Sequence, residues 1–269
     1  MILLHYASSD GPRLAVRHGD EIRDAGITVD DLFRGSKPNP GGSVVELSEV
    51  RLAPCVPRPG KVICIGLNYR RHAAESNSPV PERPIVFAKL ANTPAASGED
   101  IPLPAVSAQY DYEAELVVVI GRKTHKVSEA EAISHVWGYC NGNDLSARDL
   151  QSQSSQWLLG KSLDHFAPIG PYIVSCDEAG DLGRMTIKCS VNGEIRQSSV
   201  VGDMVFSVPE LVSFISRHLT LEAGDIIFTG TPEGVADGRP DHPWLKPGDE
   251  VVVEVGNLGR LVNRMVAAD

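Results

Sequence analysis

Residues 111–120 read DYEAELVVVI, and the fold is decided there. The first half alternates polar and apolar residues, and the second half is apolar throughout and rich in valine. That pattern predicts a β-strand whose two faces both become covered along its length. Glu113 and Glu115, two apart, then point to the same face, separated by about 6.5–7 Å of backbone rise. Two anions at the edge of an apolar core repel each other and are poorly solvated, so they need a shared proton or a cation. A hard cation with oxygen ligands is the economical answer. Taken alone, E-x-E reads more simply as a polar strand end with both carboxylates in water, so the motif by itself is a weak signal.

Working outward, strand signals dominate. Residues 61–66 (KVICIG), 225–229 (DIIFT), 250–255 (EVVVEV) and 260–266 (RLVNRMV) read as strands, and Asn192-Gly193 after 186–191 marks a tight hairpin. Ser128 with Glu131 and Ser207 with Glu210 are capping-box patterns that open helices. Leu211, Phe214, Ile215, His218 and Leu219 continue the second as one apolar stripe, so His218 reads as a packed helix residue and not a ligand. The start of the chain alternates short apolar segments with turns, and 53–61 (APCVPRPGK) has the composition of a stiff connector. We expect a small β-rich N-terminal domain at 1–56 and a larger domain at 57–269, an α+β protein dominated by β structure with a few helices.

The composition narrows function by exclusion. A chain of 269 residues, 42% hydrophobic and 22% charged, is that of an ordinary globular protein. Acidic residues outnumber basic ones 35 to 25, for a formal charge of −10, which argues against nucleic acid as a partner. The opening MILLHYASSDGPR lacks the pattern of a signal peptide, and the apolar runs fall far below the roughly 20 residues needed to span a bilayer. The five cysteines include no C-x-x-C pair and read as thiols in a reducing compartment. These features predict a cytoplasmic protein that does not bind membranes.

Further polar residues sit where sites collect. Asp144 lies in YCNGNDLSARDLQ (139–151), a polar run after an apolar strand, and would supply a third carboxylate; a turn role after Asn143 fits too. His72 and Glu75, three apart in GLNYRRHAAES (66–76), are neighbours on a helical turn, where the carboxylate can orient the imidazole as a general base. An exposed surface pair would look the same. Lys161 could stabilise a developing enolate or bind a carboxylate, or be a surface lysine. Thr229 and Thr231, in FTGTPEGV (228–235), offer hydroxyls beside small residues, as a site or a plain turn would. The P-loop glycine, G-x-S-x-G and H-E-x-x-H are all missing, which removes the phosphate-loop, serine-esterase and zincin readings.

Taken in order, GLNYRRHAAE, DYEAELVVVIG, GYCNGNDLSARDLQ, GKSLDHFAPIGP, DMVFSVPELVSFIS, LEAGDIIFTGTPEGV and LKPGDEVVVEV resemble the fumarylacetoacetate hydrolase family over roughly residues 60–266. The resemblance implies a mixed β-roll or β-sandwich catalytic domain, a homodimer, and a bound Mg²⁺, with Mn²⁺ or Ca²⁺ also accepted. By motif it places metal ligands on Glu113, Glu115 and Asp144, a His–Glu dyad on His72 and Glu75, and an active-site lysine on Lys161. Gln151, Thr231 and Arg148 fall at substrate contacts, and Trp157 and 236–244 are further candidates to line the pocket.

The implied activity is hydrolysis of a C–C bond in a small 2,4-dioxo acid such as an acylpyruvate or fumarylpyruvate, through a metal-stabilised enolate. Oxaloacetate decarboxylation or a 2-hydroxymuconate-type isomerisation would use the same residues. The contrasting expectation is a non-catalytic domain whose metal only staples the fold, which leaves the His–Glu and lysine motifs unexplained.

Overall fold

The computed structural model describes residues 1–268 apart from Pro40 and Gly42, so the last residue of the 57–269 unit lies outside the described residues. Strand Ala114–Ile120 is buried at all seven positions, as its composition requires. It pairs antiparallel with Val136–Asn143 on one side and with Ile226–Phe228 on the other. Leu116, Val118 and Ile120 enter one hydrophobic cluster, and Val117 and Val119 enter a second. Alternate side chains thus serve two cores, each buried side chain contributing roughly 1.5–3 kcal/mol.

The main sheet extends in both directions from this strand. Beyond Ile226–Phe228 come Val62–Gly66, paired parallel, and the edge strand Ile85–Lys89. Beyond Val136–Asn143 come Ala167–Ser175 and then the N-terminal strands Ile2–Tyr6, Arg13–His18, Glu21–Asp24 and Val44–Glu46. The N-terminal segment therefore continues the large sheet, with Leu3 opposite Ile173, while Leu4, Ala15 and Ile22 form a separate cluster with Tyr172. A second sheet of five strands runs Glu194–Val200, Thr186–Val191, Glu250–Val255, Arg260–Ala267 and Asp100–Leu103. Ile187, Cys189, Val253 and Leu261 from this sheet share the first cluster with Leu116 and Val118. The architecture is β-dominated with short helices, as the sequence predicts.

Local signals map onto structure closely. Both capping boxes form, at Ser128–Glu131 and Ser207–Glu210, and the latter opens the longest helix, Val208–His218. His218, expected to be packed on the apolar stripe, is instead exposed at the end of this helix, where its ring meets Phe214 edge-on at 4.9 Å between centroids. The hairpin turn takes positive φ at Asn192 (52°) and Gly193 (79°), the conformation that favours this pair. All five cysteines are free thiols. No helix among the described residues is long and apolar enough to cross a membrane.

Candidate metal centre and cavity

The carboxylates of Glu113, Glu115 and Asp144 converge. Each offers an oxygen within 4.8 Å of the others, and all three residues are buried. The sheet explains the meeting: Ala114 pairs with Asn143, and the Asp144 amide donates to the Glu113 carbonyl at 2.9 Å. The third carboxylate is thus carried to the first two by the strand pairing itself.

Two buried lysines and a half-buried arginine surround them unevenly. Lys161 Nζ lies 2.9 Å from both Glu113 Oε2 and Asp144 Oδ2. Arg148 Nη2 lies 2.6 Å from Glu113 Oε1, and its Nε donates to Asp111 Oδ2 at 2.8 Å. Lys89 Nζ lies 2.6 Å from Asp144 Oδ1 and donates to the backbone carbonyls of Leu145 and Lys161. Glu115 is left with the Gly230 amide at 2.6 Å. The pKa shifts follow from this division. Burial by itself would raise the Glu113 carboxyl, but Lys161 and Arg148 outweigh it and hold it at about 2. Glu115 goes the other way, raised well above the ordinary carboxylate range by burial and then by Asp144 and Glu113. Burial would lower Lys161 too, yet Asp144 and Glu113 keep it above its usual value. Lys89 is lowered, chiefly by burial.

A divalent cation fits this set. The donors are all oxygens, suited to a hard ion, and among the described residues Glu115 forms no direct ion pair. Glu113, Glu115 and Asp144 would hold the ion.

In front of the carboxylates lies a cavity of about 180 Å³, bordered by His72, Glu113, Arg148, Gln151, Lys161 and Thr231. Glu115 and Asp144 sit behind this wall, at 1% and 0% exposure. His72 occupies the helix Arg70–Glu75, its Nδ1 3.2 Å from Glu75 Oε2, which leaves Nε2 as its free ring nitrogen. Glu75 also accepts the Gly234 amide at 2.9 Å, tying this helix to the loop after Thr231. Gln151 accepts from Arg148 Nη1 at 3.0 Å. All nine sequence-predicted residues therefore belong to one assembly. Lys161, for which a surface position was open, is 2% exposed. Trp157 borders the cavity edge-on to Phe87, and of residues 236–244 only Asp237 borders it.

Sequence reasoning missed two members. Asp111 accepts from the amides of Ala236 and Asp237 at 2.7 and 3.0 Å as well as from Arg148, so one buried carboxylate anchors both the cavity loop and the arginine. Its signal was available, since Asp111 continues the two-residue spacing of Glu113 and Glu115. Lys89, a single lysine at a strand end, carries no such signal.

The region 61–266 matches the family model described as fumarylacetoacetate (FAA) hydrolase C-terminal. The chain belongs to the fumarylacetoacetate hydrolase family. Among its family relatives, the mitochondrial oxaloacetate tautomerase FAHD2A of Bos taurus is 44% identical over 83% of this chain and 72% of its own length. The oxaloacetate tautomerase YisK of Bacillus subtilis is 43% identical over 85% and 78% respectively. The crystal structure of 2-hydroxyhepta-2,4-diene-1,7-dioate isomerase from Mycobacterium marinum superposes with a TM-score of 0.86 at 33% identity, covering 99% of this chain and 98% of that one. This family member is of an enzyme family, and its fold is that family's fold.

Proposed function

We propose that the protein is a divalent-metal-dependent enzyme acting on the enol or enolate of a small 2-oxo acid, with oxaloacetate keto–enol interconversion as its leading activity. The observation that carries the reading is the placement of the buried acidic triad and Lys161 against a cavity that also presents His72. The choice of oxaloacetate ahead of the 2,4-dioxo acids rests on the tautomerase relatives at 43–44% identity. Mg²⁺ is the proposed metal, with Mn²⁺ or Ca²⁺ as substitutes; a homodimer is proposed on the family resemblance, and a cytoplasmic location on the unpaired cysteines.

When bound, the metal supplies Lewis acidity toward the 2-oxo oxygen. The chain's own residues then account for the proton and the charge. His72 Nε2 takes a proton from C3 of the keto acid, and the C–H electron pair becomes the C2=C3 bond while the carbonyl pair moves onto the C2 oxygen. Glu75 orients the imidazole through Nδ1. Lys161 places positive charge beside the oxygen where negative charge develops. Returning the proton to that oxygen completes the enol.

Hydrolysis of a C–C bond in an acylpyruvate-type 2,4-dioxo acid is the second reading, favoured by the same His–Glu dyad, which could activate water. Incubation with enol oxaloacetate and with acetylpyruvate, with and without Mg²⁺, tests both. Loss of enol absorbance faster than the buffer reaction supports tautomerisation, and release of acetate with pyruvate supports hydrolysis. If neither substrate changes faster than in buffer, the reading is wrong.

A further inference from the structure

We propose that Gln197 is a positioning residue that fixes Thr231 against the segment carrying Glu113 and Glu115 and leaves the Thr231 hydroxyl able to accept, but not donate, a hydrogen bond at the cavity. Gln197 lies on Glu194–Val200 in the second sheet, is 1% exposed, and does not border the cavity. The strand register slips beside it: Cys189 faces Gln197, while the next residue, Ser190, faces Ile195. Arg196 is thus the extra residue of a bulge, a device that re-aims the side chain next to it.

The amide closes a ring of hydrogen bonds. Gln197 Oε1 accepts from the Ala114 amide at 2.9 Å, which fixes the side chain's orientation because only oxygen can face an N–H. Gln197 Nε2 then donates to Thr231 Oγ1 and to the Pro232 carbonyl, each at 2.8 Å. Thr231 Oγ1 in turn donates to the Ala114 carbonyl at 3.0 Å. A hydroxyl has one proton and two lone pairs. Here the proton goes to Ala114 and one lone pair to Gln197, so one lone pair remains. A ligand group that meets Thr231 must bring its own proton, as an enol hydroxyl does and a carboxylate or keto oxygen does not. Ala114 lies between Glu113 and Glu115, so the same ring also holds the two carboxylates in place.

This inference rests on reading the cavity as a 2-oxo-acid site, and its test is by binding so that it is independent of turnover. Oxalate and oxamate differ in that only oxamate carries N–H donors. Their affinities for the Mn²⁺-loaded protein are measured by calorimetry in wild type, Thr231→Val, Gln197→Leu and Gln197→Glu, and in Thr231→Val combined with Gln197→Leu. Thr231→Val is expected to weaken oxamate roughly tenfold while oxalate changes less than about twofold. Gln197→Leu is expected to reduce the same oxamate-over-oxalate discrimination, and the double variant to lose no more than the worse single one. Gln197→Glu retains the acceptor for Ala114 and loses the donor to Thr231, so it should reproduce the effect of leucine even if the leucine variant folds poorly. Equal losses for the two ligands, or additive losses in the double variant, would overturn the assignment. Failure of the wild type to convert any 2-oxo acid would instead count against the proposed function alone.

Discussion

Lys161 and Glu113 meet at 2.9 Å with almost no solvent access, at 2% and 7% side-chain exposure, and Lys161 spans to Asp144 at the same distance. Removing one partner of a buried pair leaves an uncompensated charge, which costs about 3–5 kcal/mol. We expect Lys161→Met to lower the melting temperature of the metal-free protein and to cut turnover at least about a hundredfold. Mg²⁺ should recover part of the melting temperature and none of the turnover. Scanning fluorimetry with EDTA and with Mg²⁺ separates the two effects, and equal destabilisation in both conditions would count against the shared-charge account.

Glu113 and Glu115 give opposite pH dependences. Glu113, held at about 2, adds stability that is present above its unfolded value and is lost as pH falls toward 2. Glu115 is raised, so the metal-free fold binds its proton more tightly than the unfolded chain does. The metal-free fold should therefore lose stability as pH rises from the ordinary carboxyl range toward that raised value. A metal must displace the proton, so metal affinity and the melting-temperature gain from Mg²⁺ should both increase as pH rises above the ordinary carboxyl range. Calorimetry in buffers of different ionisation enthalpy should register proton release on binding; a flat affinity over that rise contradicts the assignment.

His72 borders the cavity and makes its hydrogen bond to Glu75 rather than to the triad, so its loss should spare the metal. We expect His72→Ala to reduce turnover by about 10²–10⁴-fold while Mg²⁺ affinity stays within about twofold. Glu75→Gln should also slow turnover, because Glu75 orients His72 and accepts the Gly234 amide. Retained turnover in His72→Ala would remove its role in proton transfer.

Gly142, on Val136–Asn143, has no room for a side chain. A methyl group there would come within 2.6 Å of the Phe228 ring and would also collide with Val117. Gly142→Ala should destabilise the fold by about 1–3 kcal/mol through overpacking, read as a lowered denaturation midpoint. An unchanged midpoint would mean that this packing relaxes more freely than the geometry implies.

The sequence was most legible where periodicity and charge met on one strand. Buried valines and paired glutamates in 111–120 predicted both the central strand and the first two carboxylates. The third, Asp144, needed the antiparallel pairing with Val136–Asn143, which no local spacing encodes; the family motifs supplied it. The surface alternative for Lys161 failed because its short helix packs inward, with Gly160 fitted so closely to Gln151 that a methyl would meet its backbone. Gln197 left no trace at all, since its inward aim comes from a bulge in an otherwise alternating hairpin strand. The continuation of the main sheet into the N-terminal strands was equally invisible, being a pairing across some 170 residues.

Strand Ala114–Ile120 has its second neighbour in Ile226–Phe228, more than a hundred residues later. During synthesis the ribbon LVVVI therefore waits with one edge unsatisfied until most of the chain has left the ribosome. Such long-range closure is slow and leaves a sticky edge open in the interim. Truncations ending before residue 226 should aggregate, and any help the nascent chain receives from chaperones should be needed in that interval.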